Sequence, residues 1–156
     1  MATTADKIQE DAIAALKGHD PLKVSTLRMA KAAIHLKEIV KKAPLDEADV
    51  QTILSIMVKQ RRDSFDQFTA GNRPELAEKE AAEIDILTAY MPREISSEEL
   101  KTHVAGTINS MAINLLRTIT VKDMGLVMKT CQAWLAENNL RADGRALSTL
   151  VKGFLA

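Results

Sequence analysis

Aromatic residues are scarce, at 3% of a 156-residue chain, with one tryptophan, one tyrosine and three phenylalanines. The interior must therefore be filled by Leu, Ile, Val, Met and Ala. Glycine (6) and proline (4) are also few, and together with this aliphatic composition they favour helices over strands. A single cysteine, Cys131, excludes an internal disulfide framework. Formal net charge is zero, which argues against a strongly basic nucleic-acid binder but leaves room for a local basic face. No apolar run reaches the length of a membrane span, so no membrane role is expected. The first residues, Met1-Ala-Thr-Thr-Ala-Asp6, carry neither a signal-peptide nor a transit pattern, and the expectation is a soluble cytoplasmic protein. His19, His35 and His103 are scattered without metal-ligand spacing, and no glycine-rich phosphate loop or nucleophile elbow occurs. Neither a catalytic set nor a metal or cofactor site is expected.

What is present is helical periodicity. One stretch, from about Asp46 to Gly71, organises the rest. Val50, Ile53, Leu54, Met57, Phe65 and Phe68 recur at spacings of three and four and form one stripe. Arg61 sits on that stripe between Met57 and Phe65. A guanidinium there needs a carboxylate partner or an exit to water. In the following helix, from about Pro74 to Met91, Leu76, Glu80, Glu83 and Leu87 share a face. The spacing predicts a structural ion pair from Arg61 to Glu83 or Glu80.

Before this pair come two helices. The first runs from about Thr4, as cap, to Gly18, with Ile8, Ala12, Ile13 and Leu16 inward. The second starts at Asp20-Pro21 and runs to about Lys42, with Leu22, Met29, Ala33, Leu36 and Val40 predicted to face inward. Its opposite face carries Arg28, Lys31, His35 and Lys42, a basic strip able to meet phosphates or simply face water. No aromatic residue interleaves with that strip, so base stacking is not indicated.

Met91-Pro92 breaks the pattern, and Ser96-Ser-Glu-Glu99 is a helix-start signature. A fifth helix is predicted to about Ser110, with Leu100, Val104 and Ile108 inside. Met111 to Ile119 is apolar without a clear period. A sixth helix, capped by Thr120, buries Met124, Val127, Met128, Cys131, Trp134 and Leu135. A seventh begins at Asp143-Gly144 and buries Leu147, Leu150, Val151, Phe154 and Leu155. No strand signals occur. The expected fold is all-α: an N-terminal four-helix antiparallel bundle over residues 1–94, then a three-helix C-terminal unit over 95–156. After Ile95 the cations are Lys101, Arg117, Lys122, Lys129, Arg141, Arg145 and Lys152, against Glu98, Glu99, Asp123, Glu137 and Asp143, so the last unit is slightly basic.

A set of ordered blocks then becomes recognisable. It comprises Thr26-Leu-Arg-Met-Ala-Lys-Ala-Ala-Ile34, Lys59-Gln-Arg-Arg-Asp-Ser64, Ala70-Gly-Asn-Arg-Pro-Glu-Leu-Ala77, Glu83-Ile-Asp-Ile-Leu-Thr-Ala-Tyr-Met-Pro92, Lys122-Asp-Met-Gly-Leu-Val-Met128, Ala142-Asp-Gly-Arg145 and Leu150-Val-Lys152. The chain resembles the GatB/YqeY family, small proteins similar to the C-terminal tail of the B subunit of glutamine-dependent Glu/Asp-tRNA amidotransferase. The resemblance implies a helical bundle followed by a small three-helix unit. It also implies an association with carbon–nitrogen ligase activity using glutamine as amide donor, although this chain holds only the tail-like part. The implied role is a tRNA-binding or amidotransferase-accessory module, with tRNA or amidotransferase subunits as partners. Lys122, Lys129, Arg141, Arg145 and Lys152 would meet phosphates, helped by Arg28 and Lys31. The family usually has a basic residue where this chain has Leu126, which removes one such contact. Asn109–Ile119 and Gln132–Leu140 also depart from the usual spacing. The alternative is a helical protein-interaction module with no RNA role.

Overall fold

The computed structural model describes residues 2–156. It is all-α apart from two very short strands: α1 (Thr4–Lys17), α2 (Pro21–Lys41), α3 (Glu47–Ala70), α4 (Pro74–Thr88), β1 (Arg93–Glu94), α5 (Ser97–Leu115), a 3-10 turn (Val121–Asp123), α6 (Met124–Glu137), β2 (Leu140–Arg141) and α7 (Gly144–Leu155). The chain divides into two compact units, the first ending at Met91 and the second running from Pro92 to Ala156.

Local chemistry sets the helix ends of the first unit. The α1 cap is Thr3 rather than Thr4: Thr3 Oγ1 accepts from the Asp6 N–H at 3.1 Å, and Asp6 Oδ2 accepts from the Thr3 N–H at 2.9 Å. Thr4 instead donates its hydroxyl to Glu47 at 2.7 Å and its N–H at 2.9 Å, tying the start of α1 to the start of α3. Asp20 caps α2 and Asp46 caps α3. α4 stops at Thr88, short of Met91, and Ala89–Met91 form a turn. There Tyr90 donates to Asp11 at 2.6 Å and accepts from Gln51 at 2.8 Å.

The core of this unit holds Ile8, Leu27, Val50, Leu54 and Leu87, each essentially inaccessible. Two helices turn differently from their predicted faces. In α1 the third inward residue is Ala15, while Ile13 and Leu16 are exposed. In α2 the buried line is Val24, Leu27, Ala30 and Ile34, and Met29, Leu36 and Val40 lie on the surface. The reason is that α2 is apolar on two sides. The side bearing Leu27, Ala30 and Ile34 is the one that meets the core, and its neighbouring helices rather than the sequence of α2 alone decide that choice. In α3, Val58 joins the buried set and Phe65 stays exposed.

Arg61 and Glu83 are both buried, with side chains 11% and 7% accessible, and Arg61 Nε lies 2.8 Å from Glu83 Oε2. Arg61 also donates to the Met57 carbonyl at 3.1 Å and approaches Met29 Sδ at 3.6 Å. Glu80 is half-buried one turn earlier.

In the second unit, Ser96 and Glu99 form a capping box at the start of α5. That helix does not stop near Ser110 but continues to Leu115. It ends at Leu116, whose φ of 53° is left-handed and whose side chain is 91% exposed. The core holds Val104, Val127, Cys131, Leu147 and Val151. Phe154 points outward. The reading without strands is corrected by β1 and β2, which pair in parallel with Arg93 opposite Leu140 and Glu94 opposite Arg141. Two residues are too few to leave a period in the sequence.

Arg61→Ala leaves a buried carboxylate with no partner and should cost about 3–5 kcal/mol in urea unfolding. Replacing both members, Arg61→Met with Glu83→Leu, should recover most of that loss.

Candidate functional site

Five of the seven candidate phosphate contacts lie in the second unit, and the structure treats them unequally. Lys122 is exposed on the 3-10 turn, Lys129 on α6, and Arg145 and Lys152 on α7. Arg145 and Lys152 are seven residues apart, two turns along one face. Lys122 and Lys129 have the same spacing, with exposed Leu126 midway between them. Arg141 is used differently. Its Nε donates to the Pro92 carbonyl at 2.9 Å, a second nitrogen lies 3.3 Å from Glu94, and its side chain is only 19% accessible. It clasps β1 to β2. Arg28 and Lys31 are exposed on α2, in the first unit.

Internal pairing then distinguishes the charges held by a partner from those that are not. Arg93 pairs with Glu99, Arg117 with Asp123, and Arg141 with Glu94. Asp143 caps α7 by accepting from the Ala146 N–H. Lys101, Lys122, Lys129, Arg145 and Lys152 enter no ion pair among the described residues. These five cations face solvent together with the exposed acids Glu98, Glu137 and Asp143, so the outer surface of this unit keeps the slight basic excess of its composition. Lys101 was not among the sequence candidates. A groove of about 470 Å³ between the first turns of α5 and α7 brings it together with Arg145, alongside Glu98 and Asp143. No local signal in the sequence relates Lys101 to Arg145, because the two residues are joined only by tertiary packing.

Two further groups are shaped by the fold. Arg117 grips Asp123 with two bonds, at 2.9 and 2.7 Å, and Asp123 also accepts from the Thr120 N–H at 2.9 Å. The Arg117 guanidinium first, and that N–H second, hold the Asp123 carboxyl well below the usual carboxylate range. The Asp123 carboxylate, rather than the Thr120 hydroxyl, thus organises this turn. His103 stacks on Trp134 with ring centroids 3.7 Å apart and planes 16° from parallel, and burial lowers its pKa. Burial also raises the Cys131 thiol, which is fully inaccessible and unsuited to nucleophilic work. Among the described residues, no three His, Cys, Asp or Glu side chains converge as a metal site. Among the described residues, no helix is long and apolar enough to cross a membrane.

The fold defines an all-α protein of two compact units. The chain matches the YqeY-like protein family over residues 5–155, and it belongs to that family. Among curated proteins it is similar to altered inheritance of mitochondria protein 41, mitochondrial, of Lachancea thermotolerans, at 27% identity over 93% of this chain and 75% of that protein. The proteins of the same name from Eremothecium gossypii and Saccharomyces cerevisiae are 36% identical over 54% and 55% of this chain. Those two matches span about half of each relative, 46% and 47%. The expectation of a cytoplasmic protein is corrected by these relatives, which are named as mitochondrial proteins.

Because the folded Asp123 pKa is depressed, its contribution to stability is complete above the unfolded carboxylate value of about 3.9. It is lost as pH falls below that value toward the folded one. The stability gap between wild type and Asp123→Asn should therefore be constant above about pH 5 and close progressively in more acid solution. Trp134, the single tryptophan, should report His103 protonation by a fluorescence change centred below the ordinary histidine value of about 6.5. His103→Gln should remove that titration.

Proposed function

We propose that the chain is a non-catalytic, tRNA-binding or accessory module of a glutamine-dependent amidotransferase system, associated with carbon–nitrogen ligase activity without carrying it out. In this reading α1–α4 form an antiparallel four-helix bundle, and the α5–α7 unit meets RNA phosphates. The supporting observation is the set of unpaired cations on this unit: Lys101, Lys122, Lys129, Arg145 and Lys152 face solvent without ion-pair partners, in excess of the exposed acids Glu98, Glu137 and Asp143. Arg28 and Lys31 add cations on the first unit. Exposed lysines and arginines on helices, without aromatic platforms, suit recognition of phosphate position and RNA shape rather than base identity. Arg141 is assigned to the clasp and not to the RNA. Family membership supports the reading through the family's resemblance to an amidotransferase tail.

A second reading, a helical protein-interaction module with no RNA role, is favoured by Leu126, an exposed leucine in the middle of the lysine face.

Titration of purified protein with total tRNA at two salt concentrations separates the readings. The first expects affinity that falls steeply with salt. Arg145→Gln with Lys152→Gln should lower the slope of log K against log salt by about 0.7–0.9 per contact removed, with helicity unchanged. Leu126→Lys should tighten binding. No binding at low salt leaves the protein-interaction reading in its place.

A further inference from the structure

The exposed side of α2 is the least explained surface of the first unit. Its inward line of Leu27, Ala30 and Ile34 is already covered by the core. On the outside, Met29, Ala32, Leu36, Ile39 and Val40 recur at spacings of three, four and one, a stripe about three turns long. Met29 is 40% exposed, Ile39 58%, Leu36 64% and Val40 71%. A contiguous apolar stripe of this kind marks an interaction site more often than chance exposure does.

The stripe runs into a groove. Beside Met29 the surface sinks into a cleft of about 770 Å³ between the end of α1 and the start of α2. Leu16, Val24, Arg28 and Met29 line it, and the His19–Pro21 turn borders one end. The charged rim is predominantly basic, with Asp20 at the turn and Glu38 as its acids. α2 carries Lys23, Arg28, Lys31, Lys37 and Lys41 against Glu38 as its only acid, and of these five cations only Lys41 is in an ion pair, with Asp49. Arg28 borders the stripe on one side and Lys37 on the other.

We propose that this face is a docking groove for an acidic amphipathic helix of a partner protein. The partner would set leucine-type residues at i, i+3, i+7 and i+11 along Leu16, Met29, Leu36 and Val40, and carboxylates against Arg28 and Lys37. Charge selects this occupant over a second copy of the chain. An α2–α2 pairing would bring two basic rims together, and like charges along a helix seam are destabilising. Shape selects it over an anionic lipid surface. A flat interface reaches Leu36, Ile39 and Val40 but not the floor of the cleft at Val24, whereas the ridge of a helix fills it. The inference does not depend on RNA binding.

The test titrates isotope-labelled full-length chain with a synthetic helix bearing leucines at i, i+3, i+7 and i+11 and glutamates on both flanks. Saturable shifts of the Met29, Leu36, Ile39 and Val40 methyls are expected, weakening with salt. Leu36→Glu, at a position already exposed, should keep wild-type helicity and weaken binding at least about tenfold, and so should exchanging the flanking glutamates for lysines. Four results would overturn the proposal: no saturable shift at about 1 mM peptide, equal binding of the lysine-flanked helix, binding to anionic vesicles that Leu36→Glu abolishes, or a dimer in sedimentation that the same change dissolves.

Discussion

Removing a guanidinium and a carboxylate from water costs several kcal/mol for each ion, and the cost is recovered only if both meet good partners. Arg61 and Glu83 meet that condition. The carboxylate receives Nε, the Met57 carbonyl receives a second nitrogen, and the Met29 sulfur lies against a third. The pair therefore acts less as glue than as a register mark. α3 and α4 could slide along an aliphatic seam at little cost, but a one-turn slip would strand two buried charges. Because Met29 belongs to α2, the same guanidinium also fixes where α2 lies against the seam.

Much of this architecture was legible because it is local. The Ser96–Glu99 capping box, the Asp20-Pro21 start and the Asp46 cap each act within one helical turn. Their residues carry the information without reference to the rest of the chain. The interruption of an apolar stripe by Arg61 was legible for a related reason: a misplaced charge in a periodic pattern stands out. The face of α2 was not. Both of its sides are apolar, and choosing between them requires the neighbouring helices. Leu16 and Ile13 on α1 failed for the same reason.

The basic residues teach a different lesson. By type, Arg141 and Lys152 look equivalent. The fold places one beside Glu94 and the Pro92 carbonyl, and leaves the other in water. Arg117 is likewise spent on Asp123. A surface charge balance is thus a tertiary property, because it depends on which acids are consumed before solvent is reached. Composition showed a slight excess of cations after Ile95, and the pattern of pairing identifies which of them are held by acids and which are not. Lys101 and Arg145 lie far apart in sequence and face one groove for the same kind of reason.

The β1–β2 clasp has a consequence for the order of folding. The bond from Arg141 to Pro92 closes a span of 49 residues. Closing a flexible loop of that length costs roughly 3 kcal/mol or more in chain entropy. Two residues of parallel pairing and one half-buried ion pair return too little to form first. α5 and α6 must already lie together, which shortens the effective loop, before the strands can meet. The clasp is then a late event, absent from the rate-limiting step. Loosening it would leave the folding rate nearly unchanged and let the second unit open faster, so that Arg141 sets how long that unit stays folded rather than how quickly it folds.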